Sequence, residues 1–212
     1  ICVANAGTAG FGRLQDLSLA EWRRMMSVNL DGAFLTFREC ARQMIEQHEG
    51  GAMVAVSSTS AVHGAPANPH YGASKTALLG LVRASAVGLA RENIRVNAVL
   101  PGWTRTDMAN AGYENDRFRD TTTRRTPVRR WATADDYESL AAYLCGKSVL
   151  WHTGDSITAD GGYTIFRPGT RPRHRRRTVW RPFPSVHTSR AYGERASQTN
   201  PAARARSALM SH

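Results

Sequence analysis

The sequence predicts an α/β fold: an open sheet whose strands alternate with helices, followed by a tail of different composition. Three observations carry this. A short apolar run at 52–56 ends in Ser57-Ser58 and leads, after a loop, into a helical pattern opening at Tyr71. Residues 94–100 alternate as a strand and are broken by Pro101-Gly102. The charge is unevenly spread: residues 167–212 hold eleven arginines and one acid, Glu194, while residues 1–166 hold 17 basic and 16 acidic residues. The net charge of +11 therefore belongs to the tail, and the globular part is nearly neutral.

In chain order, residues 1–4 read as the end of a buried strand, closed by a tight turn at Asn5-Ala6-Gly7. Gly7, Gly10 and Gly12 do not form a phosphate loop, because that requires a helix opening on the glycines. The next helix instead begins at Ser18-Leu19-Ala20-Glu21, a capping box, which leaves 7–17 as a loop. The helix carries Trp22, Met25, Met26, Leu30, Phe34, Phe37, Ala41 and Ile45 at three- and four-residue spacing and stops at Glu49-Gly50-Gly51. Asn29 falls inside this apolar stripe, so its amide must find partners, the simplest being local backbone. The helix after Tyr71 turns Ala77, Leu78, Leu81, Val82 and Leu89 toward a core, with Ser85 on the same face. Residues 107–128 are polar and poor in large aliphatics, as suits a mobile lid. An acidic helix start follows at Thr133-Ala134-Asp135-Asp136, then a last strand at 155–159 and the turn Asp160-Gly161-Gly162.

The chemistry concentrates in one stretch. A spacing of four puts Tyr71 and Lys75 on one helix face. A bare phenol, with a pKa of about 10, is a poor acid or base near neutrality, and a neighbouring ammonium is expected to bring it down. Ser58, at the C-terminal end of a strand, adds a hydroxyl where open α/β sheets place their chemistry. Of the 28 basic residues only Lys75 and Lys147 are lysine. An ammonium is a compact point charge, unlike a guanidinium fork, so a lysine at this place points to a chemical requirement. A lone Tyr-x-x-x-Lys recurs by chance, and the context has to carry the assignment.

Three widely spaced cysteines, Cys2, Cys40 and Cys145, argue against a disulfide framework or metal cluster and fit a reducing cytoplasm. No run of roughly 18 apolar residues reads as membrane-spanning, and residues 1–4 do not read as a signal peptide.

Ser58, Tyr71-x-x-x-Lys75, Asn5-Ala6-Gly7, Val28-Asn29-Leu30, Asn97-x-x-x-Pro101-Gly102 and Asp160-Gly161-Gly162 occur in one order. Together they resemble the short-chain dehydrogenase/reductase family of classical type, over residues 1–166. The nearest subgroups by pattern are 3-oxoacyl-carrier-protein reductase-like and glucose dehydrogenase-like. The resemblance implies the C-terminal part of a Rossmann-type doubly wound parallel sheet, bound NAD or NADP, and hydride transfer between an alcohol and a carbonyl on a small molecule. It implies catalytic roles for Asn29, Ser58, Tyr71 and Lys75, with Asn29 relaying protons by way of a water. It implies cofactor contacts from Asn5, Ala6, Gly7, Tyr71, Lys75, Pro101, Gly102 and Thr106, no metal, and a homo-oligomer, a homotetramer, packed through the two long helices.

Two departures accompany it. The family's opening strand, Gly-rich turn and helix are not among these residues, so the chain is expected to be truncated at its front, to keep strands four to seven and to expose residues 1–4 as an edge. The arginine- and proline-rich segment 167–212 lies outside the family pattern and is expected to be disordered. Its composition is that of GC-rich DNA translated past a lost stop codon or in a shifted frame. The competing reading is a catalytically silent remnant whose tail binds polyanions such as nucleic acid through Arg171, Arg173, Arg175, Arg176, Arg177 and Trp180.

Overall fold

The computed structural model describes residues 1–64, 67–147 and 149–166; the expectations for 167–212 lie outside them. The chain runs β1 (Cys2–Ala4), α1 (Leu19–Met26), α2 (Gly32–Gln47), β2 (Gly51–Val56), α3 (Pro69–Leu89), β3 (Ile94–Pro101), α4 (Asn110–Glu114), α5 (Asp116–Arg125), α6 (Glu138–Cys145) and β4 (Ser156–Ala159). The strands form one parallel sheet in the order β1-β2-β3-β4. All three pairings are parallel, so every strand points its C-terminal end the same way, and α2, α3 and α6 lie against the sheet.

Strand alternation divides the side chains between two faces. On one face Met53 and Ala55 of β2 and Val96, Ala98 and Leu100 of β3 meet Phe37 and Met44 of α2 and Leu78, Val82 and Ala86 of α3. On the other, Val54 and Val99 meet Leu144 of α6 in a smaller core. Polar side chains complete this second face. Arg95 donates to the carbonyls of Leu144 (2.9 Å) and Gly146 (3.0 Å). Asn97 donates to His152 O (2.9 Å) and accepts from Asp155 N (3.0 Å). Asn97 thus ties the β4 approach to β3 and has a structural task. As expected, β1 lies at an edge of the described sheet, with Ile1 and Val3 exposed.

Several elements differ from the sequence reading. The helix through Asn29 is interrupted by a π-helical turn over Ser27–Asp31. The capping box is half formed: Ser18 Oγ accepts from Glu21 N (3.1 Å), but the Glu21 carboxylate turns to Arg24 at 2.7 Å. A charge-assisted pair at i, i+3 outcompetes a bond to the neutral N–H of Ser18. The complete box lies later, between Thr133 and Asp136. α3 starts at Pro69 rather than Tyr71, since proline at the first helical turn forfeits no hydrogen bond. The lid segment holds two short helices organised by aromatics. Trp131, 4% exposed, stacks on Trp103 (5.1 Å) with Phe118 and Tyr113 edge-on to it. Among the described residues no helix is long and apolar enough to cross a membrane.

Candidate active site

The candidate residues gather at the C-terminal ends of β1 and β2 and on the first two turns of α3. At the end of β1, Asn5 N closes a tight turn on Val3 O (3.1 Å), after which Asn5 and Ala6 are exposed. Gly7 then passes close to the centre. A Cβ there would stand 3.3 Å from Lys75 Nζ and 3.4 Å from Asn29 Oδ1. Glycine at this position is explained by that approach and keeps side-chain bulk away from the lysine.

Asn29 is 1% exposed and both ends of its amide are hydrogen-bonded. Oδ1 accepts from Thr8 N (2.8 Å), and Nδ2 donates to Thr8 O and Ser74 Oγ, both at 3.0 Å. The partners are the loop after β1 and helix α3, together with Met25 of the asparagine's own helix, whose Sδ also accepts from Nδ2 (3.1 Å). The π-helical turn carries Asn29 at its middle, and such turns cluster at functional sites. One amide therefore joins three segments of the site.

At the end of β2 the two serines divide their tasks. Ser57 Oγ donates to Lys75 O (2.8 Å) and anchors α3. Ser58 has extended backbone and accepts from Ser60 N (3.1 Å) through its hydroxyl. Lys75, 5% exposed, donates from Nζ to Val56 O (2.9 Å) and lies 5.8 Å from the Tyr71 ring centroid.

This geometry corrects the expected electrostatics. Burial pushes the Tyr71 phenol above its ordinary value, and the Ser58 hydroxyl draws it back. Burial also lowers Lys75, to about 8. Lysine and tyrosine are neighbours, as expected, but the ammonium is turned toward a backbone carbonyl. Desolvation, which disfavours both charged forms, dominates.

The remaining candidates stand apart. Gly102 at the end of β3 has a packing reason: a Cβ would come within 2.7 Å of Asp160 Cα. Thr106 is exposed and precedes a short turn at Asp107–Ala109 without capping it through its side chain. Sequence reasoning missed Thr8 and Ser74, which satisfy Asn29. It also missed His70, which is fully buried, with Nε2 3.6 Å from Glu21 Oε1. No spacing rule marks a histidine next to a functional tyrosine. The glycine at position 10, whose Cβ would sit 3.2 Å from His70 Nε2, is the signal that something large lies beneath the loop.

A nicotinamide ribose is the group the resemblance implies here, and the residues fit it. An ammonium has three donors, and among the described residues Lys75 Nζ donates to the Val56 carbonyl alone. Gly7 leaves the approach open, and Ser58 and Tyr71 supply hydroxyls beside it.

A family model described as enoyl-(acyl carrier protein) reductase matches residues 1–164. An L-rhamnose 1-dehydrogenase (NAD(P)(+)) of Azotobacter vinelandii is 36% identical over 165 residues, covering 78% of this chain and 64% of its own length. A short-chain type dehydrogenase/reductase of Mycobacterium marinum superposes with a TM-score of 0.72 at 33% identity, over 76% of this chain and 63% of that one. A gluconate 5-dehydrogenase of Burkholderia cenocepacia, solved with NADP and tartrate, gives 0.75 at 28% identity, over 79% of this chain and 66% of that one. The chain thus spans between 63% and 66% of the length of these three relatives.

Proposed function

The chain belongs to the short-chain dehydrogenase/reductase family, and from that premise we propose that it supplies the catalytic part of an NAD(P)-dependent oxidoreductase interconverting an alcohol and a carbonyl. The observation that carries this is the buried Lys75 ammonium, held by Val56 O and 5.8 Å from the Tyr71 ring centroid, with the Ser58 hydroxyl drawing the same phenol downward. NAD or NADP, when bound, supplies or accepts the hydride.

The residues divide the rest of the task. In reduction Tyr71 gives its phenolic proton to the carbonyl oxygen, and in oxidation it takes the proton of the alcohol. A phenol held above its ordinary value keeps its proton near neutrality and is a weaker acid, so donation relies on Lys75 and Ser58 as the phenolate forms. Ser58 orients the substrate oxygen and stabilises charge developing on it. Lys75, its ammonium turned to Val56 O in this state, holds the ribose hydroxyls and stabilises the phenolate only as it forms. Asn29 fixes the loop after β1 against α3 and passes protons toward solvent by way of a water. Asn5, Ala6, Gly7, Pro101, Gly102 and Thr106 border the nicotinamide. Substrates in the range of the relatives, a polyhydroxylated sugar or sugar acid, fit this reading. Exposed Phe34 and Leu35 on α2 and Val87 on α3 support self-association of the complete protein through its long helices. The unpaired cysteines support a cytoplasmic setting.

The test is turnover of L-rhamnose and of gluconate with each nicotinamide cofactor. Tyr71→Phe is expected to lower kcat about 100-fold or more, with thermal stability retained. An unchanged rate in the variant would remove Tyr71 from the mechanism.

A further inference from the structure

Away from Lys75, the segment after β3 folds around a cleft of about 440 Å³ whose lining includes Arg105, Arg119, Arg129, Arg130, Tyr113 and Trp131. This is the size of a small-ligand pocket, roughly 300–1,000 Å³. Four arginines line it, and each side chain is held in place. Arg105 lies 4.6 Å over the Tyr113 ring, and Arg119 lies 5.5 Å from the same ring. Arg119 also bonds Asp116 (2.5 Å) and Tyr113 O (3.0 Å). Arg130 pairs with both carboxylate oxygens of Asp136 (2.5 and 2.7 Å). Arg129 bonds the Arg124 carbonyl, and its backbone is left-handed, φ 65°.

Two of the four cations are offset by carboxylates. Arg105 and Arg129 have no such partner among the described residues. Gathering like charges around one cleft opposes folding, and a non-glycine residue in the left-handed region adds strain. Neither feature stabilises the fold. Both make sense if an anion completes the set, since guanidinium forks held by rings and carbonyls bind carboxylate or phosphate with little ordering left to do.

We propose that this cleft is an oxyanion-binding site, taking a ligand that carries a phosphate or a carboxylate. Anion binding at this cleft does not rest on the oxidoreductase reading; only a substrate as the source of the anion does. The oxyanion has two sources, free phosphate or the acidic end of a substrate, and the experiment separates them.

Isothermal calorimetry on the full chain at low salt, in a buffer without oxyanions, would compare inorganic phosphate, gluconate and neutral glucose. Saturable binding of phosphate or gluconate is expected, without binding of glucose. Phosphate alone identifies a phosphate site, and gluconate, alone or preferred, identifies the acidic end of a substrate. The arginines at 167–212 also attract anions, so variants locate the site. Arg105→Gln with Arg129→Asn, the latter chosen because asparagine tolerates the left-handed backbone, should weaken binding at least tenfold. Asp116→Asn, which frees Arg119, should tighten it severalfold. Far-ultraviolet circular dichroism establishes that both variants are folded. Equal binding of glucose and gluconate, absence of anion binding, or affinity unchanged in the double variant would each overturn the proposal.

Discussion

The two cationic regions of the molecule are held by opposite means. Lys75 is a single ammonium, 5% exposed, bonded to one backbone carbonyl, without a carboxylate partner among the described residues. The guanidiniums after β3 are exposed or half-buried and share rings, carbonyls and two aspartates. Burying a lone ammonium costs stability, which is why its pKa falls to about 8. A surface ion pair contributes only about 0–1 kcal/mol. The contrast teaches where the fold gives up stability: at the lysine, for one point charge beside one phenol.

The largest effect follows from removing that charge. Lys75→Met should lower turnover by about 100-fold or more while raising thermal stability, because methionine occupies the position without the cost of desolvating a charge. The lysine's folded pKa lies below its ordinary value of 10.5. Between about pH 8 and 10.5 the unfolded chain therefore binds the extra proton, and wild-type stability should rise with pH across this window. Lys75→Met should lack that rise. Chemical denaturation at several pH values checks both, and a variant as active as wild type would break the comparison.

The next effect is at Asn29. Asn29→Leu strands the N–H and C=O of Thr8, and should cost about 3 kcal/mol in urea unfolding. A loss below about 1 kcal/mol would show that the loop after β1 relaxes around the substitution.

The smallest effect belongs to the guanidinium cluster. Arg130, with the Thr133 cap, holds Asp136 well below the ordinary carboxylate range. A depressed carboxylate stabilises the fold above its unfolded pKa and loses that contribution as pH falls. Asp136→Asn should therefore cost at most about 1 kcal/mol near neutrality, and nothing in strong acid. A much larger loss would mean that the pair anchors α6 rather than decorating it.

How much of this was legible in the sequence follows from the range of each interaction. The parallel strands, the Tyr71–Lys75 face and Ser58 at a strand end depend on local periodicity, and the structure places them as read. The π-helical turn at Asn29 did not show, because one added residue leaves the apolar spacing on either side intact. The side-chain half of the capping box at Ser18 failed because Arg24 competes for Glu21 through space. His70 and the stacked Trp103 and Trp131 were invisible for the same reason: Trp131 packs on a residue 28 positions away. The direction of the Tyr71 shift was misread because spacing reveals a neighbouring charge but not the burial that outweighs it.

The most direct test of the central claim, that Lys75 and Tyr71 form a nicotinamide-dependent centre, is a fluorescence titration of this chain with NADH and NADPH, wild type beside Lys75→Met. Saturable binding by wild type, weakened at least tenfold in the variant, is the predicted result. A folded wild-type sample that binds neither cofactor, or a variant that binds as tightly as wild type, would contradict it.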